Sequence, residues 1–99
     1  MRYEIVLAPE AVQDLDRLGA RDRALVLAAL ERYLRFEPTK VSKSRIKRLR
    51  GLSHPQYRLR VEDIRVFYDI TEDIHEKVLE VLAIVPKSHA ASRLKEWEE

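Results

Sequence analysis

The stretch YRLRVEDIRVFYDI, residues 57–70, decides how the rest of the chain is read. Residues on either side of Glu62-Asp63 alternate apolar and polar with period two, the pattern of half-buried strands. With Glu62 and Asp63 as the centre of a tight turn, Val61 pairs with Ile64, Arg60 with Arg65, Leu59 with Val66 and Arg58 with Phe67. Tyr57, Leu59, Val61, Ile64, Val66, Tyr68 and Ile70 then share a core face. Arg58, Arg60, Arg65 and Phe67 share the other. Like charges directly opposite one another weaken a sheet, so a chain under no demand but folding would place Thr, Glu or Lys–Glu pairs there. Two readings fit: three solvated arginines on an open face, or a platform built to bind an anion.

The charge distribution bears on that choice. Although the net charge is only +2, the segment between Pro38 and Val61 holds Lys40, Lys43, Arg45, Lys47, Arg48, Arg50, Arg58 and Arg60 and no acidic residue. The rest of the chain carries eleven basic and seventeen acidic residues, a net of −6. A focused positive field on an acidic body suits a polyanion, nucleic acid first and an acidic protein second.

Moving outward, Arg2–Leu7 alternates well enough for a first strand, and Pro9 with Glu10 opens a helix. Val12, Leu15 and Leu18 give that helix an apolar stripe, and Gly19 is its expected stop. A second helix is expected from Asp22 to Phe36. Leu25, Ala28, Ala29, Tyr33 and Phe36 form one apolar side, widened by Val26, Leu30 and Leu34, and Pro38 ends the helix. The two helices should form an antiparallel hairpin on a sheet. Thr39–Ser44 reads as a polar, basic loop, and Arg45–Arg50 as a short strand anchored by Ile46 and Leu49. Lys77–Val85, the most apolar stretch, fits a central strand buried on both faces. A terminal helix follows Pro86, with Ser88 as N-cap and Leu94 and Trp97 on one side. The expected class is α+β: an N-terminal strand and helical hairpin on a mainly antiparallel four- to five-stranded twisted sheet, closed by a short C-terminal helix.

Ninety-nine residues, with 45% hydrophobic and 36% charged, make one domain able to bury its own core. Without cysteine there is neither a disulfide framework nor a thiolate nucleophile. The longest apolar run, Ala24–Leu30, is too short to cross a bilayer, and no secretory leader is evident, so a cytoplasmic protein is expected. The three histidines are scattered and the carboxylates lack metal-ligand spacing, so no metal or cofactor is expected. Two isolated glycines cannot make a phosphate-cradling loop.

Four motifs in order resemble the RelE/ParE superfamily of bacterial type II toxin–antitoxin toxins: Ala8-Pro9-Glu10-Ala11 through Leu18, Arg48-Leu49-Arg50-Gly51, the Tyr57–Tyr68 hairpin, and the closing apolar strand. The superfamily holds ribosome-dependent mRNA endonucleases and DNA gyrase poisons on one fold. The resemblance implies a toxin of the RelE type that cuts mRNA on the ribosome without a metal, partnered by a cognate antitoxin in a hetero-oligomer. A gyrase-inhibiting toxin, and a nucleic-acid-binding member with decayed catalysis, are the alternatives. By position Arg58, Arg60 and Arg65 match the family's basic hairpin residues. Where the best-known RelE-type enzymes have an arginine and then a tyrosine after the last strand, this chain has Ser88 and Leu94, with Lys87 and His89 as the neighbouring polar groups.

RNA cleavage needs a phosphate clamp, for which arginine's permanently charged fork is suited, and a proton shuttle, for which it is not. His89 is the shuttle candidate by position; an exposed first-turn histidine with no role is the simpler reading. His54 and His75 read as loop residues. Lys43, Arg45, Lys47, Arg48, Arg50 and Lys87 are expected to contact the RNA backbone, and Phe67 either to stack on a base or to shield its neighbours. The Leu94/Trp97 side and the basic groove are where an antitoxin segment is expected to bind.

Overall fold

A computed structural model describes residues 2–98. The order is β1 (Glu4–Leu7), α1 (Pro9–Arg17), α2 (Ala20–Ala29), a π-helical turn (Leu30–Leu34), β2 (Ile46–Arg48), β3 (Tyr57–Val61), β4 (Ile64–Glu72), β5 (Lys77–Pro86) and α3 (Lys87–Lys95). The five strands form one sheet in the order β1-β5-β4-β3-β2. β1 runs parallel to β5 and every other neighbour is antiparallel. This is the α+β architecture that the sequence implies.

The hairpin register is the one the alternation demands: Val61 faces Ile64, Arg60 faces Arg65, Leu59 faces Val66 and Arg58 faces Phe67. Leu59, Val61, Ile64, Val66 and Tyr68 enter the main core together with Leu79, Val81 and Ile84 of β5 and Val26, Ala29, Leu30 and Leu34 of the helical layer. Tyr57 and Tyr68 stack with ring centroids 5.5 Å apart. The Tyr68 hydroxyl donates to the Pro38 carbonyl at 2.6 Å, tying the end of the helical layer to the hairpin. Between Phe67↔Ala83 and Tyr68↔Val81 the register slips by one residue, so Leu82 is the extra residue of a bulge in β5.

Several local expectations are corrected. Val12 of α1 is 44% exposed, and Ala11 and Asp14 take the buried positions. The small Ala11 lets α1 lie close against β5, where Ala8 N–H donates to the Val81 carbonyl at 2.9 Å. Gly19 is the residue preceding α2, which begins two residues early at Ala20. Regular α-geometry stops at Ala29 and continues as the π turn. The helical layer is then pinned to the first strand, because Tyr3 N–H donates to the Arg35 carbonyl and Arg35 Nη1 donates to the Tyr3 carbonyl. Phe36 is consequently left outside, 61% exposed, and Ala28 also faces solvent. Ser88 is not the N-cap of α3: the helix starts at Lys87 directly after Pro86, and the Lys87 N–H donates to the Asp63 carbonyl at 2.6 Å. Among the described residues no helix is long and apolar enough to cross a membrane.

β5 is an interior strand, with β1 on one side and β4 on the other. Its second half is covered on both faces because α3 lies over a small second cluster of Phe67, Ala83 and Val85, joined by Leu49, Ala90, Leu94 and Trp97. Ile46 and Leu49 of the β2 segment therefore anchor in different clusters on opposite faces of the sheet.

Candidate nucleic-acid interface

The sheet face away from the α1–α2 layer carries two cross-strand rows. One runs Lys47, Arg58, Phe67, Ala83 and the other Arg60, Arg65, Val85. Strand alternation and register thus place Lys47, Arg58, Arg60 and Arg65 on one side of three adjacent strands. Among the described residues none of these four forms an ion pair. Of the nearby carboxylates, Glu62 pairs with Arg21 at 3.1 Å and Asp69 with His54 at 2.5 Å, while Asp63 acts on Arg65 through its charge without forming an ion pair.

The three hairpin arginines differ in their settings. Arg60 is exposed and, with Ser44, Arg45 and Glu62, lines a depression of about 320 Å3. Arg58 is half-buried; its Nη2 donates a long 3.4 Å bond to the Ser44 carbonyl, and its buried Nε has no partner. Burial, and then the positive charges of Arg65 and Arg60, hold Arg58 below the usual guanidinium value. Arg65 is only 8% exposed, and its Nη1 donates to the Glu62 carbonyl at 2.8 Å and the Ile64 carbonyl at 3.1 Å. Its affinity for the proton is likewise lowered by burial and by Arg60, with Asp63 opposing. Arg65 is therefore a buttress of the turn as well as a source of field, while Arg60 and the outer edge of Arg58 are what a ligand can touch. Guanidinium groups that repel one another and form no ion pair gain most from an external anion, and Asp63 offsets only Arg65.

The other residues expected at this surface divide. Lys43, Arg50 and Lys87 are exposed at its margins, and Lys87 with Asp63, Pro86 and Ser88 borders a depression of about 500 Å3. Arg48 turns toward the helical side, its guanidinium 5.1 Å from the Tyr57 ring, whereas Arg45 borders both sides: it lines the Arg60 depression and its guanidinium lies 4.2 Å from the Tyr33 ring centroid. Arg48 Nη1 also donates to the Gln56 carbonyl at 2.7 Å. Phe67 is 1% exposed, so in this conformation its ring packs beneath α3 and offers no face to a base. Leu94 and Trp97 are not an open surface either, since they are the residues covering Phe67.

His89 is exposed and lines a depression of about 210 Å3 with Asp14, Arg17, Ile84, Val85 and Arg93; none of the hairpin arginines borders it. Tyr68 is excluded as a neutral-pH proton donor to substrate, because burial pushes its phenol far up and its proton is committed to Pro38. Among the described residues no three His, Asp or Glu side chains are placed to hold a metal ion.

A buried polar node escaped the sequence reading. Asp14, 4% exposed, accepts from Arg93 Nη1 at 2.8 Å, Arg93 Nη2 at 2.6 Å and the Ile84 N–H at 3.0 Å. It joins α1, β5 and α3 at one point and so holds the helix that covers Phe67. The available signal was an aspartate at the position where the α1 stripe of Ala11, Leu15 and Leu18 calls for an apolar residue.

Comparison with known proteins agrees with this architecture. The chain is similar to the toxin–antitoxin complex RelBE2 from Mycobacterium tuberculosis, with 24% identity and TM-score 0.72 over 87% of this chain and 99% of that one. It is also similar to the archaeal RelE–RelB complex from Pyrococcus horikoshii, with 26% identity and TM-score 0.63 over 88% and 97%. A mutant of the E. coli toxin RelE in the free state matches with 20% identity and TM-score 0.68 over 98% and 94%. No match among curated proteins reaches significance. Residues 5–90 match the family described as ParE toxin of the type II toxin–antitoxin system parDE, so the chain belongs to that family, within the RelE/ParE superfamily of toxins.

Proposed function

We propose that this toxin arrests growth by binding mRNA on the ribosome and cleaving it, with Arg58 and Arg60 gripping the ribose-phosphate chain. The supporting observation is the set of hairpin guanidinium groups on adjacent strands without internal ion pairs. In this reading the arginines stabilise the charge that builds on the phosphate as the 2′-oxygen attacks, an effect worth about 3 kcal/mol per well-placed donor. Arg65 positions the turn and adds field. His89 lines a depression that none of the hairpin arginines borders and is assigned no step; the 2′-OH proton leaves to water and the departing 5′-oxygen takes its proton from water. Two of the similar structures are complexes, the toxin–antitoxin complex RelBE2 and RelE–RelB, which supports a cognate antitoxin as partner.

A second reading, inhibition of DNA gyrase, is favoured by the ParE description of the matching family and by the separation of His89 from the arginines. The test is induction in cells carrying a DNA-damage reporter. The mRNA reading expects growth arrest with a silent reporter, and loss of arrest in Arg60→Ala at an unchanged melting temperature. A reporter response, or full arrest by Arg60→Ala, overturns it.

A further inference from the structure

His54 and Asp69 form a pair at the end of β3 and β4 away from the Glu62-Asp63 turn. His54 Nδ1 lies 2.5 Å from Asp69 Oδ2. A carboxylate only accepts, so Nδ1 carries the proton and Nε2 is left as the acceptor. The carboxylate is itself fixed. The Gln56 N–H donates to Asp69 Oδ1 at 2.7 Å, and the Ile70 N–H donates to Gln56 Oε1 at 2.8 Å. The Asp69 side chain is 15% exposed, whereas that of His54 is 63% exposed. Pro55, fully buried, seats the loop that carries the ring. Register places the pair on the arginine face. Two residues on from the row of Lys47, Arg58 and Phe67 lie Leu49, Gln56 and Asp69, about 7 Å further along the strands. Leu49 packs in the same cluster as Phe67, and its N–H donates to the Gln56 carbonyl at 2.8 Å. Arg60, Arg58 and the His54–Asp69 pair therefore follow one another along one side of β3.

We infer that His54 is the proton acceptor of the RNA-cleaving site, reached through one water, and that Asp69 is the residue that positions it. This rests on the mRNA reading and names the group that takes the proton there. A ribose-phosphate chain gripped by Arg60 and Arg58 continues along β3 toward the pair, which lies one row further on, within reach of the next nucleotide. As the 2′-oxygen attacks the phosphorus and the bond from phosphorus to the 5′-oxygen breaks, the 2′-OH proton passes to a water. That water gives a proton to His54 Nε2. The departing 5′-oxygen takes a proton from a second water. The products are a 2′,3′-cyclic phosphate and a 5′-hydroxyl, and His54 then returns its proton to solvent. Asp69 holds the ring in the tautomer with Nε2 free and stabilises the imidazolium that forms.

The test is single-turnover cleavage of mRNA on programmed ribosomes by the full chain, followed across about pH 5–8. The wild-type rate should rise with pH along a one-proton limb. His54→Asn keeps an N–H for Asp69, so its melting temperature should match wild type, yet its rate should fall about 100-fold and the limb should vanish. Asp69→Asn should fall between the two. A wild-type rate in His54→Asn, or a slower rate that keeps the limb, overturns the inference; with Arg60→Ala inactive in the same assay, the mRNA reading stands. Absence of cleavage by the wild type overturns the mRNA reading, and the role of His54 with it. A second measurement reads placement without any cleavage. Titration with a 2′-O-methyl oligouridylate, which cannot be cut, should move the NMR signals of the His54 ring, and Arg60→Ala should weaken that response. Ring signals that stay still while the amides of residues 58–60 move overturn the assignment.

Discussion

Replacing Asp14 tests whether the C-terminal helix is held as described. The carboxylate is nearly fully buried and accepts two bonds from Arg93 and one from the Ile84 N–H. Breaking a buried, hydrogen-bonded ion pair costs about 3–5 kcal/mol when the remaining charge has nowhere to go. Here Arg93 lies near the surface with its side chain 16% exposed, and Glu96 is 3.5 Å from its Nε. The freed guanidinium can therefore turn outward, which places Asp14→Asn, with an acceptor kept for Ile84, at about 2 kcal/mol. Asp14→Ala also orphans the Ile84 N–H and should cost about 1 kcal/mol more. For a domain of this size each kcal/mol lowers the melting temperature by roughly 4–5 °C, so the expected drops are about 10 °C and 15 °C. Circular dichroism reads the global transition. The sole tryptophan, Trp97, covers Phe67 and reads α3 separately, so its emission should shift to the red ahead of global unfolding. A drop below about 3 °C for Asp14→Ala, or no early change at Trp97, refutes the claim that this node latches the helix.

Further predictions follow from other contacts. Phe67→Ala, which empties a site that is 1% exposed, should cost about 3–5 kcal/mol in denaturant unfolding; a near-neutral result means that α3 does not cover the ring in solution. Tyr68→Phe removes the buried bond to Pro38 and should cost about 1–3 kcal/mol by the same assay. Glu72 is held below the usual carboxylate range by bonds from Tyr3 and Lys77, and Glu31 by the bond from Arg35. Their folded values lie below the unfolded value of 4.5, so their stabilisation is present above that pH and disappears as pH falls through the lower folded values. Thermal melts should show the double variant Glu31→Gln/Glu72→Gln losing less stability than wild type on acidification. In RNA binding, Arg60→Ala should reduce the slope of log K against log salt by about 1; an unchanged slope removes Arg60 from the phosphate contacts.

The hairpin could be read from residues 57–70 because a one-residue slip would carry Leu59, Val66 and Tyr68 from the core to solvent. Clustering of basic residues on one strand face was legible by the same argument, and cross-strand distance needs nothing beyond register. What could not be read came from helix placement. The C-terminal segment has only Ala90, Leu94 and Trp97 as an apolar signal, and the residue that orients it, Asp14, lies 79 positions from Arg93. Without that contact Phe67 looks like an exposed aromatic among arginines, whereas in the fold it is the floor under a helix. The division of the basic residues was hidden for a similar reason. Arg45 lies just before β2, where no strand alternation governs it, and the Tyr33 ring holds its guanidinium while the residue still borders the Arg60 depression. Phe36 was read into the helix stripe because a 3.6-residue period was continued through a segment whose geometry changes at Leu30.

The central claim, that the unpaired guanidinium groups of the hairpin serve to hold and break RNA, is tested most directly by mapping transcript 5′ ends shortly after induction. Wild-type protein should produce new ends within coding regions of translated messages, and Arg60→Ala should produce none. Intact messages beneath a full growth arrest would contradict it.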